Sequence, residues 1–300
     1  MGQAFTFSQI FCNRLDVDLQ AYLNRLSLKK ISWDRFLVEV EDLQEVTRMQ
    51  AMPHDRSLLH LAIRDQRWDI VEKLSDDFSL LYRRDRYGIS SVDLAKYLHD
   101  QKSLKLLCPL DAKQGSLQYP KGTDLEVIDH PIFESMNELE KALETTEKNK
   151  NRGVIPGEKI WMGVYFEKEI CFGIHPPISI RYIDSEIGYG VFAEKPISSC
   201  AFVGEYTGMV RNKSVRWLKD KRYCLRYNLW EKKDNLTIDG ELYGNFTRFI
   251  NHSDTPNICL QSVYCNGLPR MIFLSLRAIR EHEQLFFDYG PLFWKKSKAL

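Results

Sequence analysis

Arg248-Phe249-Ile250-Asn251-His252-Ser253 is the stretch on which the reading of this chain turns. Gly244-Asn245 precedes it and Pro256-Asn257 follows it. By itself an Asn-His pair behind an apolar pair needs no more than a buried loop whose polar groups satisfy one another. Its neighbours change that reading. Phe287-Asp288-Tyr289-Gly290 lies about thirty-five residues downstream, and Gly188-Tyr189-Gly190 and Gly204-Glu205-Tyr206 lie upstream. A lone Gly-x-Gly is most often a turn, and here no third glycine and helix follow to make a dinucleotide fingerprint. Paired tyrosines are common core residues with one wet end. The order and spacing of the four segments carry the information.

Taken together, from roughly Ile180 to Trp294, they resemble the SET-domain family of protein lysine methyltransferases. The resemblance implies a mostly-β SET fold in which the Asn251-His252 segment and the C-terminal segment thread into a pseudoknot. It implies that Gly188, Tyr189 and Gly190 form a loop cradling the methionine part of S-adenosylmethionine, because glycine lets backbone approach a ligand closely. Tyr223, Arg248, Asn251, His252 and Trp294 are the further cofactor contacts it implies. Tyr289 matches the catalytic tyrosine and Tyr206 a second tyrosine lining the lysine channel. Phe287 stands where the family has Phe or Tyr; phenylalanine leaves room for two or three methyl groups, so a di- or trimethyl product is expected. The implied substrate is a protein with an exposed lysine, a histone by resemblance.

The chain also departs from the family. Asp254 stands where many relatives carry a zinc-binding cysteine, no cysteine follows Gly290, and no zinc-binding segment precedes the matched region. No metal is expected. Closure of the pocket then falls to Phe293 and Trp294, near the adenine or along the channel, unless both are plain core packing. Met209 replaces a second glutamate of the family pattern.

The rest of the chain is read from composition and pattern. Three hundred residues, 44% hydrophobic and 28% charged, suit one large or two smaller globular domains. No apolar run reaches the roughly 18 residues that span a bilayer, so no membrane role is expected. The N-terminus lacks a secretory pattern, and Gly2 with Thr6 meets only the loosest form of a myristoylation signal. Seven scattered cysteines without Cys-x-x-Cys argue for a reducing compartment rather than a disulfide framework. Residues 181–300 hold 18 Lys/Arg and 13 Asp/Glu, or +5, leaving 24 against 28, or −4, for residues 1–180. That asymmetry suits an acidic partner or an ordinary solvated surface, and is too small for a nucleic-acid footprint.

Residues 55–107 carry an internal repeat. Ser57-Leu58-Leu59-His60-Leu61-Ala62 and Ser90-Ser91-Val92-Asp93-Leu94-Ala95 align with an offset of 33 residues. The period and the Leu-His-x-Ala core resemble ankyrin repeats, which bind protein partners; a generic pair of helical hairpins is the alternative. Leu15, Leu19, Tyr22, Leu23 and Leu26 recur at helical spacing and offer a cap to the stack. The expected organisation is a helical ankyrin-like domain over 1–108, a connector with a helix near 134–149 over 109–158, and a SET domain over 159–300. In fold class this is α+β. Ile160 to Met162 and Val164 to Phe166 are expected to be the first strands of the SET domain. The expected activity is S-adenosylmethionine-dependent lysine methylation in the nucleus, of a host cell if the source is a bacterial effector. The alternatives are a catalytically silent binding module and an enzyme for a non-histone lysine.

Overall fold

Two helix pairs thirty-three residues apart in sequence build much of the first half of the molecule. The structure is a computed structural model and describes residues 19–40, 42–108, 117–212, 223–230 and 236–290. The chain divides into two units, residues 1–111 and 112–300.

In the first unit, helix α1 (19–27) is followed by α2 (Trp33–Glu39), α3 (Leu58–Arg64), α4 (Trp68–Leu74), the single turn α5 (Phe78–Leu81), α6 (Ser91–Tyr97) and α7 (Gln101–Leu107). The pair α3/α4 recurs as α6/α7 with both helices offset by 33 residues. Local chemistry starts each pair in the same way. Ser57 and Ser90 take the N-cap positions in capping boxes, closed by the side chains of His60 and Asp93; such a cap contributes about 1 kcal/mol. A second device also recurs. Trp33 and Trp68, each the first residue of its helix, donate Nε1–H to Asp65 at 3.0 Å and Asp100 at 3.2 Å. Leu19, Leu23 and Leu26 of α1 are buried as their spacing requires; Leu15 lies outside the described residues.

His60 knits the two pairs together. Its Nδ1 accepts from the Ser57 N–H, so Nε2 carries the proton and donates to Ile89 O at 3.0 Å. The hydroxyls of Ser57 and Ser91 also reach Nδ1, at 2.7 and 3.1 Å. Burial lowers the pKa of His60 to about 4, which keeps the ring neutral and this network intact near pH 7.

The second unit opens with strands β1 (Glu126–Val127) and β2 (Ile132–Phe133) and helices α8 (Met136–Asn151), α9 (Gly157–Tyr165) and α10 (Glu167–Phe172). Eleven strands follow: β3 (Ile178–Asp184), β4 (Gly188–Ala193), β5 (Phe202–Glu205), β6 (Met209–Asn212), β7 (Cys224–Arg226), β8 (Leu236–Asp239), β9 (Tyr243–Gly244), β10 (Asn251–His252), β11 (Ile258–Cys265), β12 (Leu268–Ser275) and β13 (Phe286–Phe287). They form several small sheets rather than one large one. β3 and β4 make an antiparallel hairpin, β11-β12-β5 an antiparallel sheet, and β2-β6-β8-β7 a mixed one. Two parallel pairs, β1-β9 and β10-β13, join segments far apart in sequence. The stretch read as a connector thus contributes strands to two of these sheets as well as α8, which Ser135 caps.

One local expectation fails. Residues 160–165 are helical, within α9, and Phe166 is its C-cap; none is in a strand. Met162, Phe166 and Ile170 fall four residues apart and pack on one hydrophobic cluster with Phe202, Val263 and Ile272, while Trp161 and Tyr165 stack on the exposed side with ring centroids 5.0 Å apart. The aromatic and β-branched residues that suggested strands therefore lie on both faces of a helix. Gly163 permits the packing: a Cβ there would lie 1.8 Å from the Tyr264 carbonyl oxygen, so α9 rests its backbone on β11.

Candidate functional site

The site is built where β10 and β13 run side by side. Asn251 pairs with Phe286 and His252 with Phe287. Ser253 N–H donates to Phe287 O, and Asn257 N–H to Phe286 O, both at 3.2 Å. Asn257 then clamps the crossing with its side chain, accepting from Phe286 N–H at 2.8 Å and donating to Gln284 O at 2.8 Å. Asn257 is buried, and with both ends of its amide used it locks the two segments in register.

That register places Tyr289 against His252. The Tyr289 N–H donates to His252 Nδ1 at 3.2 Å, and the His252 Nε2 side faces Asp254 Oδ1 at 3.2 Å. Nδ1 is thereby an acceptor and Nε2–H a donor. Asp254, the residue that breaks the family pattern, thus orients His252. The Tyr289 hydroxyl donates to Ile250 O at 2.9 Å. Burial pushes its pKa up to about 12, so it stays a phenol at neutral pH. Tyr206, at the end of β5, donates its hydroxyl to Tyr223 O at 2.5 Å, and burial also drives its pKa upward.

An unbroken aromatic series links the two tyrosines. Tyr206 meets Phe273 at 6.5 Å, Phe273 meets Phe287 at 4.9 Å, and Phe287 meets Tyr289 at 4.7 Å between ring centroids. Phe273 and Phe287 are buried. The structure therefore brings Tyr206, Phe287 and Tyr289 into one apolar wall whose two polar tips have each given their proton to a backbone carbonyl. Each phenol oxygen keeps lone pairs with which to accept a further hydrogen bond.

On the other side of β10, the Asn251 amide donates to Tyr189 O at 3.0 Å, fastening β10 to the glycine loop. Gly190 is closely packed: a Cβ there would meet the Gln284 amide nitrogen at 2.5 Å and Ile183 Cδ1 at 2.7 Å, so both side chains would have to move. Gly188 is required by conformation, with φ +79° and open space around the Cβ position. Tyr189 packs edge-on to Phe249 at 6.1 Å. The Arg248 guanidinium lies 4.0 Å above the Tyr223 ring and donates to Glu241 O at 2.6 Å. Its buried Nε has no partner among the described residues. Tyr223 thus ties the two halves together, offering its ring to Arg248 and its carbonyl to Tyr206. Trp294 and Phe293 lie outside the described residues.

Glycine loop, Asn-His pair and C-terminal tyrosine converge in the order and pairing on which the motif depends. Residues 188–290 match the SET domain. Histone-lysine N-methyltransferases are among the relatives of this stretch. The chain is 35% identical over 118 residues to ash1 of Drosophila melanogaster, covering 37% of this chain and 5% of that protein. It is 36% identical over 118 residues to EHMT1 of Homo sapiens, covering 38% and 9%, and 33% identical over 125 residues to SUV39H2 of Xenopus tropicalis, covering 38% and 31%. The chain thus spans less than a third of the length of each of these relatives.

Two contributors to the site lie outside the quoted segments, Phe273 as wall and Arg270, and two within them, Asn257 as clamp and Glu205 as the partner of Arg270, take roles that the motif does not assign. Arg270 grips both oxygens of Glu205, at 2.5 and 2.6 Å. Burial pushes the Glu205 carboxyl upward and the guanidinium opposes it. A lone arginine within the otherwise apolar run Leu268 to Leu274 was the available signal, since a buried charge demands a partner. A cavity of about 60 Å³ lies against Glu205, bounded also by Gly204, Asn245 and Phe246, and none of the expected site residues lines it. Among the described residues no helix is long and apolar enough to cross a membrane, and no cluster of three or more His, Cys, Asp or Glu is arranged to hold a metal.

Proposed function

We propose that the chain is an S-adenosylmethionine-dependent protein-lysine N-methyltransferase acting on a histone. The observation that carries this reading is the joint placement of Tyr206, Phe287 and Tyr289 along one apolar wall, with Asn251 and the glycine loop on the other side of β10. The donor set fits the cofactor: an open positive-φ glycine, a side-chain amide fixed on the loop, and a buried guanidinium nitrogen without a partner among the described residues. Gly188, Tyr189, Gly190, Tyr223, Arg248, Asn251, His252 and Trp294 would hold it. When bound, S-adenosylmethionine supplies a methyl group activated on a sulfonium.

The chain's own residues have a different task, which is to present a neutral lysine amine. Phe273, Phe287 and Tyr206 desolvate an entering side chain, and desolvation lowers a lysine pKa. The Tyr206 and Tyr289 oxygens, their protons committed to Tyr223 O and Ile250 O, accept hydrogen bonds from the amine and fix its direction. Tyr289, with its pKa near 12, is an orienting group and not a base at neutral pH. Holding the amine in line contributes much of the acceleration, because alignment replaces a bimolecular search. Phe287 brings no hydroxyl to the wall and so leaves room for a methylated amine, which supports a di- or trimethyl product.

The recurring helix pairs of the first unit support an ankyrin-like module that recruits a protein partner, and a histone substrate places the enzyme in the nucleus. The experiment is methyl transfer from labelled S-adenosylmethionine to core histones and to whole lysate, with Tyr289→Phe as control and mass spectrometry of the product. Transfer to histones that Tyr289→Phe abolishes supports the reading. Label appearing only on other proteins points to a non-histone lysine. No transfer to either would make the chain a silent binding module. Phe287→Tyr is expected to shift the product toward monomethyl-lysine; an unchanged product distribution removes the assignment for Phe287.

A further inference from the structure

Cys171, in the last turn of α10, and Cys265, at the end of β11, meet although 94 positions apart in sequence. Cys265 is buried in the cluster formed by Phe166, Ile170, Phe202, Val263 and Ile272, and Cys171 packs on the same cluster from its half-exposed edge. The Cys171 thiol lies near enough to Cys265 to raise its pKa. Asn266, the residue after Cys265, donates its amide Nδ2 to Cys171 Sγ at 3.3 Å, holding that sulfur at the turn between β11 and β12. An apolar wall, a neighbouring thiol and an aimed amide give Cys171 a fixed direction. The sulfur of Cys200, exposed on its loop, lies 3.7 Å from the neighbouring Ser199 hydroxyl.

We propose that Cys171 and Cys265 form an oxidisable pair that closes to a disulfide under peroxide, pinning α10 to the β11–β12 turn. In the first step the half-exposed Cys171 thiolate attacks a peroxide oxygen; the O–O bond breaks, hydroxide leaves, and Cys171 becomes a sulfenic acid. In the second, the Cys265 sulfur attacks that sulfur, the S–OH bond breaks, and water leaves with the Cys265 proton. Overall two thiols and one hydrogen peroxide give one disulfide and two waters. Asn266 assists the first step because an N–H aimed at sulfur favours the thiolate. The neighbouring Cys171 thiol, and then burial, push the Cys265 thiol far upward, so closure is slow near neutral pH and quickens as pH rises.

The pair concerns neither methyl transfer nor the cofactor and stands apart from the proposed activity. The test treats the full chain with hydrogen peroxide in native buffer, blocks free thiols by alkylation, and maps unreduced peptides by mass spectrometry. Expected is a linked 171–265 peptide lighter than its two parts by two hydrogens, removed by dithiothreitol, absent in Cys171→Ser and retained in Cys200→Ser. Because Cys265 is a core residue, Cys265→Val keeps the cluster filled and is expected to leave Cys171 as a free thiol or a sulfinic acid. Independent alkylation of both cysteines after peroxide, or a link that forms only in denaturant, would overturn the proposal.

Discussion

Each unit buries an arginine against a carboxylate, and the two pairs are built differently. In the first unit Arg56 Nε lies 3.7 Å from Asp85, whose other oxygen accepts from the backbone N–H groups of Tyr87 and Ile89 at 2.9 and 3.0 Å. Asp85 is chiefly a turn residue that an arginine also approaches. In the second unit Arg270 grips both oxygens of Glu205 across 65 positions, and Glu205 directly precedes Tyr206. The first unit meets its buried polar needs with backbone and with partners one repeat away. The second unit meets them with side chains from remote strands. A repeat can lose one tie and keep its neighbours; the Glu205–Arg270 pair is not part of a repeat.

That contrast is sharpest under mutation. Arg270→Met is expected to leave Glu205 buried and uncompensated, at a cost of about 3–5 kcal/mol, and Arg56→Met about half as much, because two backbone donors still hold Asp85. Urea unfolding of both variants checks this; equal losses would break the comparison. Next in size, Tyr289→Phe is expected to lower methyl transfer at least about a hundredfold, the usual cost of removing one aimed polar group from a reaction centre, while circular dichroism and thermal melting stay unchanged. A variant that loses stability as well would make Tyr289 a core residue.

The third test is pH. His60 has its folded pKa lowered from 6.5 to about 4, so the unfolded chain takes up a proton first as pH falls. Its neutral-form stabilisation is complete above pH 6.5 and is lost progressively between 6.5 and 4, the loss reaching about 3 kcal/mol at the acid end. Thermal melts of wild type and His60→Gln across that window check it, the variant showing the flatter profile. The smallest effect belongs to the caps: Ser90→Ala is expected to cost the first unit about 1 kcal/mol and to leave the rate of methyl transfer per folded molecule unchanged.

The sequence was most legible where chemistry is local. Ser57 and Ser90, set thirty-three residues apart before Leu- and Val-containing runs, announce two helix starts, and both are caps. The Asn251-His252 and Tyr289 segments could be joined by motif, and β10 and β13 pair beside them. What stayed hidden depends on contacts that no short window contains. Residues 160–166 carry strand-forming residue types, and only the distant partners Val263 and Ile272 reveal the helical face. Arg270 and Phe273 look like ordinary members of a strand until β12 lies against β5. Asp254 seemed only a lost cysteine, and its role in turning His252 needs the fold to be seen.

The parallel pairing of β10 with β13 also bears on the order in which the molecule comes into being. Asn251 cannot gain its strand partner until Phe286 has been made, thirty-five residues later, which at about 5–20 residues per second takes about 2–7 s of synthesis. The helix pairs of the first unit need nothing beyond Leu107 for their own pairing and can fold well before that. A nascent chain halted at residue 280 would carry those pairs, the glycine loop and Tyr206, and yet lack Phe287 and Tyr289. The joining of the site's two segments would then arrive late and all at once, with the emergence of one short strand.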